Sequence, residues 1–213
     1  MFDRRQFLVV AGSGMLTLAA KESKAEDPFD SLSANVLRNA RHNGLCMIRH
    51  PTPSAIASHA QITAVDEPGR PLLVAGQVFA PDGQKAAPHV TVYAYNTDAN
   101  GHYGENHTAL PPRIYGWMKT DDAGRFSLRT ILPGRYPGMQ VPAHIHFTLW
   151  GAGYPLQWVD DLRFEGDSYL TPAMRSESEQ LADFCTIQPL SESADGCLRC
   201  TFKIRLQQQM NFS

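Results

Sequence analysis

Short apolar segments separated by turn residues run through most of the chain. Each segment carries alternating or continuous apolar residues, and each ends where proline, glycine, aspartate or asparagine residues cluster. The segments cover 72–79, 90–95, 126–130, 143–150 and 200–206. Strands of this length with turn chemistry between them predict an all-β fold, an antiparallel β-sandwich.

The pattern is different before this region. Asp30 can cap a helix over 30–41, because Leu32, Val36 and Leu37 follow it at helical spacing. The sequence therefore predicts a linker with a short N-terminal helical extension over 26–69, followed by the β-sandwich domain over 70–213.

The first residues have the features of an export signal. Arg4 and Arg5 precede Phe7-Leu8, and a mildly apolar run then leads to small residues near Ala25. This arrangement is typical of a twin-arginine signal peptide over 1–25, so we expect passage through the twin-arginine translocase to the periplasm or outside the cell. A membrane anchor is the alternative, but the apolar run is shorter than the roughly 20 residues that a span requires. No stable membrane insertion is expected.

Composition and charge narrow the functional classes. The chain has 213 residues, of which 43% are hydrophobic and 19% charged, and this balance suits one globular domain with a terminal extension. A formal charge of -2 gives no electrostatic reason to expect a nucleic acid partner.

The four cysteines are even in number. In an oxidising compartment we expect disulfides among Cys46, Cys185, Cys197 and Cys200, with three pairings open and one that ties Cys46 to the C-terminal region favoured. Free buried thiols are the alternative.

Two histidines one residue apart carry the first sign of chemistry. In a strand, successive side chains point to opposite faces, so His144 and His146 would share one face with Ile145 on the other. Each neutral imidazole offers one acceptor lone pair, and a metal ion can use both at once. A pair of hydrogen-bonded histidines without a metal is the alternative.

An ordered series of short motifs surrounds this histidine pair. The series is Gly76-x-Val78, Gly101-His102-Tyr103, Thr120-Asp121 with Gly124, Arg129-Thr130-Ile131, Pro133-Gly134-Arg135-Tyr136-Pro137, Pro142 to Phe147, and Phe164-Glu165-Gly166-Asp167. Over roughly residues 70 to 206 it resembles the intradiol ring-cleavage dioxygenases of the protocatechuate 3,4-dioxygenase and catechol dioxygenase type. The resemblance implies an immunoglobulin- or transthyretin-like sandwich core that holds a non-haem ferric ion.

Carried over to this chain, the resemblance implies that Tyr103, Tyr136, His144 and His146 are the ligands of Fe(III). Their chemistry suits that ion, because phenolate is a hard anionic ligand and a bound metal lowers the pKa of a phenol. Two phenolates and a hydroxide would offset the three charges, and two neutral imidazoles would complete a five-coordinate shell.

The resemblance also implies a reaction. A small aromatic diol would be cleaved with O2 between its hydroxyls to a cis,cis-muconate-type product, with Tyr136 displaced by the incoming diol. Arg135, beside Tyr136, is a candidate for the positive charge near the substrate. The oligomeric state stays open.

Two positions depart from the pattern of the resembled family. Val141 stands where an arginine is usual, and Asp161 stands where a glutamine is usual. Two further functions therefore stay open. One is a transthyretin-like binding module, and the other is an iron-binding protein of the same fold with altered or lost dioxygenase activity.

Overall fold

The computed structural model describes residues 50–104 and 111–209. The predicted export signal, the predicted helix at 30–41 and Cys46 lie outside these residues. The described chain forms two five-stranded sheets packed face to face, so the predicted β-sandwich is confirmed.

Most neighbouring strands of sheet A are not consecutive in sequence, whereas most neighbouring strands of sheet B are. Sheet A has the order β1-β5-β2-β10-β9, and sheet B has the order β4-β3-β6-β7-β8. The strands are β1 (His59–Gln61), β2 (Pro71–Phe79), β3 (Thr91–Asn96), β4 (Ile114–Lys119), β5 (Arg125–Ile131), β6 (His144–Gly151), β7 (Tyr154–Phe164), β8 (Ile187–Gln188), β9 (Ser191–Glu192) and β10 (Leu198–Arg205).

The pairing of the strands is mixed. The long neighbours β4, β3, β6 and β7 of sheet B are all antiparallel, as are β2 with β5 and β10 with β9. Three pairs are parallel, namely β1 with β5, β7 with β8, and β10 with β2. The parallel pairing of β10 inserts it beside β2 along its whole length, from Leu198 opposite Leu72 to Arg205 opposite Phe79.

The main core lies between the two sheets. Residues of β10 alternate strictly between buried and exposed, so Leu198, Cys200, Phe202 and Ile204 point inward. This period of two is what a strand with one solvated face requires. Sheet B supplies Ile145, Phe147 and Leu149 of β6 to the same core.

The outer face of sheet B is also covered. All six residues of β3 are buried, because Val92 and Ala94 face the main core while Tyr93 and Tyr95 face the other way. These tyrosines belong to a second aromatic cluster, which we call the aromatic layer. Its buried members are Tyr93, Tyr95, Tyr103, Trp117, Trp150 and Leu156.

One helix follows β7. Helix α1 (Pro172–Gln180) begins after Thr171, whose side chain accepts a hydrogen bond from the Met174 amide, and a short 3-10 turn (Ala182–Phe184) follows it. Within 50–104 and 111–209, no helix has the length and apolar character that crossing a membrane would take.

Three of the four cysteines lie in the described part of the chain. Cys185, Cys197 and Cys200 are free thiols, so no disulfide joins these three residues to one another. Cys200 lies in the main core, and its burial raises the pKa of the thiol to about 12. The thiol of Cys200 therefore behaves as a small apolar side chain.

Candidate metal centre

Strand β6 places the two histidines on the outer face of sheet B. Ile145 points into the main core, so His144 and His146 share the opposite face, as the alternation of a strand predicts. Their Nε2 atoms lie 3.1 Å apart, and Tyr95 of the neighbouring strand stacks on the His146 ring at 4.6 Å between centroids.

Two loops bring the tyrosines to the histidines. Tyr103 follows β3, and its Oη lies 2.7 Å from Nε2 of His146. Tyr136 follows β5, and its Oη lies 3.0 Å from Nε2 of His144 and 3.2 Å from Nε2 of His146. The two hydroxyls also contact each other. The four predicted ligand atoms therefore converge on one point, although the residues span 44 positions from 103 to 146.

The two tyrosine loops are joined through their backbones. The Gly134 amide donates to the Asp98 carbonyl at 2.8 Å, and the Thr97 hydroxyl donates to the Gly134 carbonyl at 2.7 Å. Gly101 has a φ of +87°, and a Cβ added there would lie 1.9 Å from the carbonyl oxygen of Arg135. The sequence therefore needs glycine at 101 for both the turn and the close approach.

Burial shifts the pKa values of both phenols and of His144. Burial raises the pKa of the Tyr103 phenol far above its ordinary value, and the neighbouring Tyr136 raises it further. Burial also raises the pKa of Tyr136 to about 12, and it lowers the pKa of His144, as does the nearby His146. The phenols are therefore protonated near neutral pH, and each must lose a proton to act as an anionic ligand.

Hydrogen bonds from the Nδ1 atoms orient the two histidine rings. Nδ1 of His144 donates to the Pro142 carbonyl at 2.7 Å, and Nδ1 of His146 donates to Oδ1 of Asp161 at 2.6 Å. A carbonyl and a carboxylate only accept, so the proton of each ring is on Nδ1 and the lone pair of Nε2 faces the tyrosines. Such partners are the usual support of metal-binding histidines.

Asp161 approaches from the side of His146 that faces away from the tyrosines. Its ligand atom lies with those of His144 and His146 in a group within 4.8 Å, but its contact is with Nδ1 and not with the converging Nε2 atoms. Burial alone would raise the pKa of the Asp161 carboxyl, but the neighbouring His146, His144 and Arg163 hold it below its ordinary value. In the sequence Asp161 is only a departure from the resembled pattern, and no local signal indicates its contact with His146.

Arg135 contacts Asp167 and Tyr169. Its Nε donates to Oδ2 of Asp167 at 3.1 Å, and its guanidinium lies 4.6 Å from the centroid of the Tyr169 ring. The same carboxylate accepts from the amides of Ala143, at 3.0 Å, and Tyr169, at 2.9 Å. Asp167 therefore ties the Tyr136 loop to the start of β6. In the sequence Asp167 is only the last residue of the Phe164-Glu165-Gly166-Asp167 motif, and the motif does not indicate this role.

The site has a donor set that suits a ferric ion. Two phenol oxygens and two imidazole nitrogens meet without an intervening side chain, and both imidazoles present the lone pair that a metal needs. The residues present therefore fit the ion that the resemblance implies.

A cavity of about 580 Å³ opens behind the centre, between β7 and β10. Its wall contains Asp160 and Asp161 together with Arg163, Lys203 and Arg205. Two of the residues that line it contact His146: Asp161 through its carboxylate and Trp158 through an edge-to-face contact of its ring.

The chain is similar in sequence to known dioxygenases. The family model Dioxygenase_C, described as dioxygenase, matches residues 48–208. The chain is 28% identical over 189 residues to 6-chlorohydroxyquinol 1,2-dioxygenase of Cupriavidus pinatubonensis, covering 79% of this chain and 63% of that protein. It is 31% identical over 113 residues to the protocatechuate 3,4-dioxygenase beta chain of Burkholderia cepacia, covering 48% of each.

Among solved structures, the dioxygenase domain of a dioxygenase and carbohydrate-binding protein fusion from Streptomyces sp. SirexAA-E is similar. It matches with a TM-score of 0.53 and 25% identity, covering 76% of this chain and 96% of that chain. The chain thus matches nearly all of that domain, whereas it spans less than two thirds of the two curated relatives.

Proposed function

Because the chain belongs to the Dioxygenase_C family of dioxygenases, we propose that it is a non-haem Fe(III) intradiol dioxygenase. Its substrates would be catechol-type aromatic diols, cleaved with O2 to cis,cis-muconate-type products. The observation that carries the proposal is the convergence of two phenol oxygens and two imidazole nitrogens on one point.

The proposed ligands are Tyr103, Tyr136, His144 and His146. A bound ferric ion would supply Lewis acidity toward the diol and make it reactive with O2. The protein holds the donor atoms, and the hydrogen bonds that His144 and His146 donate to Pro142 and Asp161 keep both Nε2 atoms directed inward.

Of the two tyrosines, Tyr136 would be the ligand that a bound diol displaces. Tyr103 is 8% exposed and packs in the aromatic layer, whereas Tyr136 is only partly buried. Burial raises the pKa of the Tyr136 phenol, so a phenolate at this position would be basic enough to accept a proton from a diol hydroxyl. The difference in burial therefore supports an exchangeable Tyr136 and a permanent Tyr103.

The test combines colour with oxygen uptake. We expect the purified protein loaded with Fe(III) to be wine-red from tyrosinate-to-iron charge transfer, and to consume O2 with catechol, protocatechuate or hydroxyquinol. Tyr103→Phe and Tyr136→Phe should each weaken the band and lower turnover by about 10²-fold or more. Visible spectra and an oxygen electrode measure both effects.

Tyr93→Phe is the matched control for these variants. Tyr93 is a fully buried tyrosine of the same aromatic layer, and its hydroxyl has no hydrogen-bond partner in the described part of the chain. Its colour and activity should equal those of the wild type. A colourless protein that is indifferent to chelation would refute the proposal and favour the transthyretin-like binding module.

A second candidate is an iron protein of this fold whose reaction differs. It is favoured by the Asp161 carboxylate on His146 and by the engagement of Arg135 with Asp167, which leaves Arg135 less available to a substrate. A wine-red protein that takes up no oxygen across the three diols would support this candidate.

Export is part of the proposal. The Arg4-Arg5 motif and the small residues near Ala25 support a twin-arginine signal over 1–25, and with it a periplasmic or secreted enzyme. That route carries folded proteins, so the iron could be inserted before export.

A further inference from the structure

A β-bulge directs one of two adjacent carboxylates at His146. In the pairing of β6 with β7, Ile145 is opposite Leu162 and Phe147 is opposite Val159. His146 alone therefore faces both Asp160 and Asp161, and bulges of this kind re-aim side chains near functional sites. Asp161 turns toward the ring, whereas Asp160 is exposed.

The contact between Asp161 and His146 is short and shielded. Oδ1 of Asp161 accepts from Nδ1 at 2.6 Å, and the side chains of His146 and Asp161 are 10% and 18% exposed. The second carboxylate oxygen lies 3.7 Å from Nη2 of Arg163. A hydrogen bond between a carboxylate and an imidazole is stronger than one between neutral groups.

The two imidazoles consequently differ in their strength as metal ligands. His144 donates to the neutral Pro142 carbonyl, whereas His146 donates to a carboxylate. A carboxylate behind the ring raises the basicity of the opposite nitrogen. Nε2 of His146 is therefore the stronger electron-pair donor of the two imidazoles.

We propose that Asp161 is a positioning residue that aims His146 and lowers the Fe(III)/Fe(II) reduction potential of the centre. The inference rests on the proposed function, because it requires iron at the four converging atoms. The negative charge of Asp161 and the stronger donation of His146 both favour the ferric over the ferrous ion. A neutral glutamine at 161, which the resemblance leads one to expect, would lack the charge.

Asp161→Asn tests the charge while keeping the hydrogen bond, since the amide oxygen can still accept from Nδ1. We expect ferric affinity relative to ferrous affinity to fall on the order of tenfold, which corresponds to a rise of about 59 mV in the one-electron potential. The charge-transfer band should also move to longer wavelength, because the ferric ion becomes easier to reduce. A mediated redox titration and visible spectra measure these shifts.

Asp160→Asn is the matched control, because it removes the same charge from the next residue in the same cavity wall. Its potential should stay close to the wild-type value. Arg163→Met removes the cation near the second oxygen of Asp161, so the reduction potential should fall rather than rise. This variant keeps the proposal testable even if Asp161→Asn folds poorly.

Three results separate the proposals. An unchanged potential and band in Asp161→Asn, or equal shifts in Asp160→Asn, would overturn the role of Asp161 and leave the proposed function standing. A potential that rises or stays constant in Arg163→Met would overturn it as well. Wild-type protein that binds no iron or lacks the tyrosinate band would instead remove the proposed function, and this inference with it.

Discussion

Asp167 is the residue that fixes the geometry between the Tyr136 loop and the histidine strand. Its carboxylate is 7% exposed and accepts hydrogen bonds from the side chain of Arg135 and the backbone of Ala143. Burial alone would raise the pKa of this carboxyl, but the amides of Tyr169 and Ala143 and the Arg135 guanidinium hold it below its ordinary value. The ionised form is thus the one that the fold stabilises.

Asp167→Asn should lower the free energy of unfolding by about 1–3 kcal/mol, because charge-assisted hydrogen bonds are lost. The pKa is lower in the folded state, so the stabilisation is present above the unfolded value of about 3.9 and is lost as pH falls through the folded value. Urea denaturation at a series of acid pH values should show that the free energy of unfolding falls less steeply with pH in the variant than in the wild type. Asp160→Asn, at an exposed position, should show the same dependence of stability on acid pH as the wild type.

At the level of single residues, the sequence predicted the pairing of His144 with His146 from strand alternation alone. The tyrosines came only from the resemblance, because no local pattern shows that loops after β3 and β5 meet. The contact of Asp161 with His146 could not be predicted, since it depends on a bulge between strands that are paired in space.

At the level of the elements, the two tyrosine loops form one interlocked unit. The Asp98 amide donates to the His102 carbonyl at 2.8 Å, and the Asp98 carbonyl accepts from the Gly134 amide at the same distance. Gly101 packs against the backbone of Arg135 within this unit. The position of Tyr103 is therefore coupled to the position of Tyr136.

Gly101→Ala should separate the loops. The new Cβ would collide with the Arg135 carbonyl, in addition to the strain of a positive φ, which by itself costs about 1–3 kcal/mol. We expect lower stability, several-fold less bound iron and a weaker charge-transfer band. Metal analysis, thermal unfolding and visible spectra measure these effects.

Gly138→Ala is the control for backbone strain. Gly138 has a φ of +74°, but a Cβ added there meets nothing within 4 Å. This variant should lose some stability and keep its iron. Equal loss of iron in both variants would contradict the coupling of the loops.

The sequence predicted the strands with clear apolar patterns and did not predict β7. Asp160, Asp161 and Arg163 interrupt the apolar pattern of that strand, because they line the cavity beside the candidate metal centre. The parallel partnership of β10 with β2 was not predictable either, since a period of two specifies a buried face and not a neighbour.

At the level of the whole molecule, the proposed export signal gives a direct test. Replacing Arg4 and Arg5 together by lysine should retain the protein in the cytoplasm, because the twin-arginine pair is the address that the translocase reads. Cell fractionation and the mass of the exported protein, shortened near Ala25, measure the effect. The same conservative change at Arg38 and Arg41 should leave export intact, and an unchanged distribution of the Arg4 and Arg5 variant would contradict the signal.

The location of β10 inside sheet A governs the order in which the molecule can assemble. During synthesis β2 emerges early, but one of its edges stays bare until β10 has left the ribosome, because β10 covers that edge along its full length. Long-range pairing of this kind is slow and leaves strand edges open to aggregation in the meantime. The sandwich therefore cannot close until β10 is free to pair with β2, and a chain that lacks β10 exposes one edge of β2 as a template for aggregation.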